Sequence, residues 1–115
     1  MDVMFVAKAY VEASNAHDLD AVERLLSEDV VYLSTGVGEH LGKRAIRAMM
    51  DTFFQTYKTL HWQTRNWESE SENVASFDFV MTGMHCETGN KIEKAGREGI
   101  FMGKDGLINR IEVRA

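Results

Sequence analysis

The sequence has no proline and one cysteine, Cys86, in 115 residues. Without proline, chain reversals fall to the nine glycines and to Asn and Asp. A lone cysteine excludes an internal disulfide and suits a reducing, cytoplasmic compartment. Positive charge is not in excess: thirteen Lys and Arg stand against eighteen Asp and Glu, a net charge of −5. The basic residues are scattered and form no stripe with aromatics, so nucleic-acid binding is not expected. The acidic balance argues against an anionic membrane surface and reads as solubility. No apolar run has the length of a transmembrane helix. The start, Met1-Asp2-Val3-Met4-Phe5-Val6, lacks the basic flank and small-residue cleavage site of a signal peptide. Linkers, low complexity and repeats are also missing, and residues 1–115 read as one domain.

What is present is a change of period along the chain. Residues 3–17 follow helical spacing, with Val3, Val6, Ala7, Tyr10, Ser14 and His17 on one face. Residues 20–27 predict a short second helix, capped by Asp18 or Asp20 and apolar at Val22, Leu25 and Leu26. Val30-Val31-Tyr32-Leu33 is β-branched and aromatic, and predicts a strand over 30–34. Residues 35–42 read as a glycine-rich loop whose spacing does not fit phosphate binding. Residues 43–57 predict a third helix with a wide stripe that includes Met49, Met50, Phe53 and Phe54. Such a stripe is core, or a soft pocket wall, since Met adapts its shape. The period then drops to two. Strands are predicted over 59–68, 73–84, 92–102 and 107–114, with Gly96 and Gly99 as bulge or bend points and Gly103–Gly106 as a hairpin turn. Trp62 and Trp67 fall on opposite faces of the first of these strands. The order α-α-β-α-β-β-β-β specifies an α+β fold: a curved antiparallel sheet wrapped around three helices, leaving a cavity between them.

Several segments together resemble the NTF2-like superfamily, in particular its SnoaL-like and ketosteroid-isomerase-like members. They are Tyr10, Asn15-Ala16-His17-Asp18, Leu25-Leu26-Ser27-Glu28-Asp29-Val30, Gly42-Lys43-Arg44-Ala45-Ile46 and Gly103-Lys104-Asp105-Gly106-Leu107-Ile108. The resemblance implies a cone with a pocket between sheet and helices, often a homodimer through the outer face of the sheet. It also implies a small, mostly apolar organic ligand. Ketosteroid isomerases place a tyrosine eight residues before the aspartate of the second helix, as Tyr10 and Asp18 stand here. Their protonated acid on the strand before the last hairpin corresponds to Glu98. Their general base corresponds to Ser34 and their third-helix tyrosine to Met50, so steroid isomerisation by that mechanism is not expected.

The chemistry-bearing residues are Tyr10, Glu98 and Asp78. Tyr10 is a hydroxyl donor to the pocket, or a core tyrosine whose OH meets the backbone. Glu98 shares a strand face with Ile100 and Met102, which favours an inward carboxyl able to act as acid or base. Asp78 pairs with Glu98 across strands, or is a charge on the outer face. Met50, Phe53, Trp67, Phe79 and Ile100 are the expected apolar lining. His17, His40, His61 and His85 are dispersed, and no metal site is expected. Cys86 has no spaced catalytic partners. No cofactor motif occurs. The reading is a small-molecule binder, acting by cofactor-free acid–base chemistry if it is an enzyme. The alternative is a non-catalytic ligand-binding or dimerisation module.

Overall fold

The computed structural model describes residues 2–115. Asp2 caps the first helix, α1 (Val3–Asn15), by accepting from the Met4 amide at 3.1 Å. The buried stripe of α1 is the one predicted, running through Val3, Val6, Ala7, Tyr10 and Ser14. The helix stops two residues short of His17, which takes φ 55°. Competing side-chain contacts account for the stop. Asn15 clasps the Trp62 backbone in both directions, Nδ2 donating to its carbonyl (3.0 Å) and Oδ1 accepting from its amide (2.7 Å). His17 donates from Nε2 to the Leu60 carbonyl (2.9 Å) and stacks on Phe54 with centroids 4.3 Å apart. Asp18 then caps α2 (Leu19–Leu25) through Ala21 N at 3.1 Å.

Strand β1 (Leu26–Ser34) starts directly where α2 ends, earlier than predicted. The predicted loop 35–42 contains a strand, β2 (Gly38–Leu41), paired antiparallel with β1 from Ser34↔Gly38 to Val31↔Leu41. Four residues starting on a glycine carry too short an alternation to reveal it. Helix α3 (Lys43–Thr56) follows, then β3 (Tyr57–Ser71), β4 (Val74–His85), β5 (Lys91–Met102) and β6 (Ile108–Arg114). The predicted hairpin turn closes β5 onto β6, with Gly106 at φ 80°.

The six strands form one sheet in the order β2-β1-β6-β5-β4-β3. All neighbours are antiparallel except β1 and β6, which run parallel. The α+β architecture is the expected one, but the sheet is mixed, because β1 and β6 come from opposite ends of the chain and no hairpin fixes their relative direction. Helix α1 lies across β3, β4 and β5, while α3 lies against β1, β2 and β3. The core fills the space between, with Val6, Ile46, Phe77, Ile100 and Ile111 each almost wholly buried.

Two local features re-aim side chains. In β3 the register shifts between Lys58 and His61 and again between Arg65 and Glu68, with Thr59 (φ 58°) and Asn66 (φ 56°) at the bulges. In β5 neither Gly96 nor Gly99 is a bulge: the β4–β5 register runs unbroken from Val74 to Met84. Gly96 has a different task. A Cβ there would stand 2.3 Å from the Arg114 carbonyl oxygen and 2.8 Å from the Phe79 ring. The backbone of β6 and that ring therefore need the space a side chain would take.

Candidate functional site

Between the helices and the sheet lies a cavity with about 80 Å³ of free space. Its walls come from α1 (Tyr10, Val11, Ser14), β1 (Tyr32, Ser34), α3 (Met49, Met50, Phe53, Phe54), β3 (Trp62), β4 (Phe77, Phe79, Met81), β5 (Lys94, Glu98) and the segments at Gly36-Val37 and Val113. The volume is roughly half of the ~150 Å³ at which an engineered apolar cavity accepts benzene. A ring-sized guest must displace wall side chains. Met49, Met50 and Met81 are the side chains that do this most readily, being unbranched and polarisable.

The polar groups are few and converge. Glu98 is buried, 6% exposed, and its carboxyl pKa is pushed up to about 8 by loss of water alone. No protein hydrogen bond offsets that loss, and the side chain lines the cavity. Tyr10 is held well above the usual phenol range, first by burial, then by the charge of Glu98 and of Tyr32, with Ser14 pulling the other way. Tyr32 is raised by burial and by Glu98. These mutual effects place the three groups in one electrostatic neighbourhood. At neutral pH all three carry a proton, so the site presents hydrogen-bond donors to an oxygen inside an apolar slot.

Of the residues singled out from the sequence, Tyr10, Glu98, Met50, Phe53 and Phe79 line the cavity. Ile100 is fully buried, pairs with Ile111 and Ala75, and is not part of the lining. Trp67, half-buried, is not part of the lining. The bulge at Asn66 turns Trp67 to the same face as Trp62, where it stacks on Phe77 (4.3 Å, 27°) and donates to Thr64 Oγ1 at 3.2 Å. It is Trp62 that reaches the cavity. Asp78 is corrected. It pairs in register with Arg97, whereas Glu98 pairs with Phe77, so the two carboxylates point to opposite faces. On the outer face Asp78 accepts from Asn66 Nδ2 and Arg97 Nη1, each at 2.8 Å, which holds its carboxyl below the usual range. Arg97 also binds Glu68 (3.0 Å) and Ser76 Oγ (2.8 Å).

Tyr32 and Lys94 were not singled out from sequence. Each carried a parity signal: Tyr32 shares a strand face with the buried Val30, and Lys94 shares one with Glu98. His40 sits on β2, donating from Nε2 to the Val37 carbonyl (3.0 Å), and does not line the cavity. Among the described residues no group of three or more His, Cys, Asp or Glu is placed to hold a metal ion, and no helix is long and apolar enough to cross a membrane.

An open sheet with helices over one face and a donor-lined apolar slot between them defines a cone-shaped α+β domain of the NTF2-like kind. More narrowly, the chain belongs to the family of the SnoaL-like domain, whose profile matches residues 7–111. Solved structures repeat the fold. An uncharacterised cystatin-fold protein from Novosphingobium aromaticivorans is 17% identical, with a TM-score of 0.88 over 98% of this chain and 97% of its own. A Mycobacterium tuberculosis protein in complex with estradiol-17β-hemisuccinate is 20% identical, TM-score 0.86, over 98% and 93%. A computationally designed 17-OHP binder is 20% identical, TM-score 0.85, over 98% and 92%. At these identities the likeness is one of fold. No curated protein matches the chain in sequence.

Proposed function

We propose that this chain binds a small, flat, mostly apolar organic molecule by an oxygen atom that accepts a hydrogen bond from protonated Glu98, assisted by Tyr10 and Tyr32. The observation that carries this reading is the Glu98 carboxyl, buried in an apolar cavity with no protein partner. A group so placed costs free energy unless a guest or water in the cavity supplies the partner. Similar folds solved with estradiol-17β-hemisuccinate or designed to bind 17-OHP support a pocket of this kind.

If the ligand is turned over, the chemistry is acid–base and Glu98 is the proton donor: its O–H proton moves to the ligand oxygen and the carboxylate left behind is reprotonated from water. Tyr10 stabilises the same oxygen without giving up its proton. A non-catalytic binding module is the second reading. It is favoured by a lining that holds no second side-chain carboxylate and no histidine, Ser34 Oγ being engaged instead by the amides of Gly36 (3.1 Å) and Val37 (3.3 Å). We place the protein in the cytoplasm and read it as a homodimer through the outer sheet face, the face that the helices leave uncovered.

The test is the pH profile of binding of 2-acetylnaphthalene, a flat neutral ketone. Affinity is expected to be level at neutral pH and to fall above about pH 8, approaching tenfold per pH unit as the donor is lost. Glu98→Gln keeps a donor that cannot titrate and flattens the profile. A wild-type profile with no break there removes Glu98 from the site.

A further inference from the structure

We propose that the ligand of this cavity is an anion: an aromatic or alicyclic body whose neutral oxygen meets Glu98 and whose carboxylate lies against Lys94 at the mouth. This rests on the binding reading above and adds the charge and length of the molecule.

The geometry of β5 sets the two ends. Lys94, Gly96 and Glu98 share one face of the strand, opposite Met81, Phe79 and Phe77 on β4. All three of those β4 side chains line the cavity, as do Lys94 and Glu98. Gly96, between the charged pair, contributes no side chain, and the Phe79 ring lies over it. The floor between the two ends is therefore the Phe79 ring beside the β6 backbone at Arg114, and a ligand that spans them displaces wall side chains, as any ring-sized guest must. Four residues of strand separate the Cα atoms of Lys94 and Glu98 by about 13 Å, the length of a two-ring molecule with a substituent at each end.

The electrostatics select a monoanion. Glu98 and Lys94 are the two side chains of the Asp, Glu, Lys, Arg or His types in the lining. Glu98 stays neutral at neutral pH, which leaves Lys94 as the charged side chain of the lining. Lys43, Arg47, Arg97 and Arg110 each hold a carboxylate in an ion pair, while Lys94 takes part in none of the ion pairs among the described residues. Its ammonium group rests against Gly36 at the lip, where a Cβ would stand 3.3 Å from Nζ. A single ammonium suits a carboxylate. A phosphate dianion takes more donors than one lysine supplies. In a chain of net charge −5, this cation at the mouth also offsets the general repulsion of an acidic ligand.

The test compares 2-acetylnaphthalene with 6-acetyl-2-naphthoate by calorimetry at neutral pH and low salt. The two share ring and ketone and differ by the carboxylate. The wild type is expected to bind the acid about three- to fivefold more tightly, the range of an ion pair open to water, with the preference shrinking at high salt. Lys94→Met loses the preference and still binds the ketone; Lys94→Arg keeps it. Equal affinities in the wild type, or a preference that survives in Lys94→Met, overturn the inference alone. If the wild type binds neither compound, the cavity reading fails and the inference goes with it.

Discussion

Burying a carboxyl is tolerable while it stays protonated, and this couples Glu98 to pH through folding as well as through binding. Its pKa is about 8 in the folded chain and 4.5 in a model compound. Between those values the folded state holds a proton that the unfolded state has released. The contribution of Glu98 to stability is therefore full below about pH 4.5 and falls as pH rises towards about 8, by at most ~1.4 kcal/mol per pH unit. Urea denaturation of wild type and Glu98→Gln across this window should show the slope in the former and its loss in the latter; parallel curves would mean that Glu98 titrates normally. Gly96 yields a prediction of opposite character, independent of pH. Gly96→Ala sets a Cβ against the β6 backbone and should cost about 3 kcal/mol by the same assay, whereas an unchanged midpoint would show that β6 yields. At this scale the sequence was informative where one element decided a residue's direction. Helical spacing aimed Tyr10 inward, and alternation with Ile100 aimed Glu98 inward. Asp78 was different: alternation set it opposite Phe77, but whether it met Glu98 or Arg97 depended on the register between two strands, which neither strand encodes alone.

Element-scale features were legible where a period ran long enough. The stripe of α1 and the alternation of β4 did; β2, four residues long, did not. In β3 the alternation was visible, and it misled, because Asn66 resets it. The consequence is measurable. Trp62 lines the cavity and Trp67 stacks on Phe77 without lining it, so binding of 2-acetylnaphthalene should quench Trp62 preferentially. Trp62→Phe should abolish the ligand-dependent change in emission and Trp67→Phe should preserve it; the reverse result would place the bulge elsewhere. The junction of α1 with β3 is held by Asn15 on the Trp62 backbone. Asn15→Ala leaves a strand amide and carbonyl without these partners and should lower stability by about 1–3 kcal/mol in urea denaturation.

For the whole molecule, the helices cover one sheet face and leave the other to Arg97 and its partners Asp78, Glu68 and Ser76. If that face joins two copies, sedimentation should give twice the monomer mass, and Arg97→Glu, which sets like charges together, should shift the protein towards monomer. A monomer at all concentrations would retire the dimer. The family and the α+β class were legible because they depend on the order of elements; the parallel β1–β6 pair was not, because it joins segments at opposite ends of the chain. That pair has a further consequence. In the order β2-β1-β6-β5-β4-β3, the last strand made is the one that joins the first two to the other three. During synthesis the early strands wait with an open edge, and the hairpins of β3, β4 and β5 form without them. The domain closes its sheet only when residues 108–114 leave the ribosome, so a nascent chain stalled before that point holds two open sheet edges for a chaperone to shield, joined only through the helices that pack on both parts.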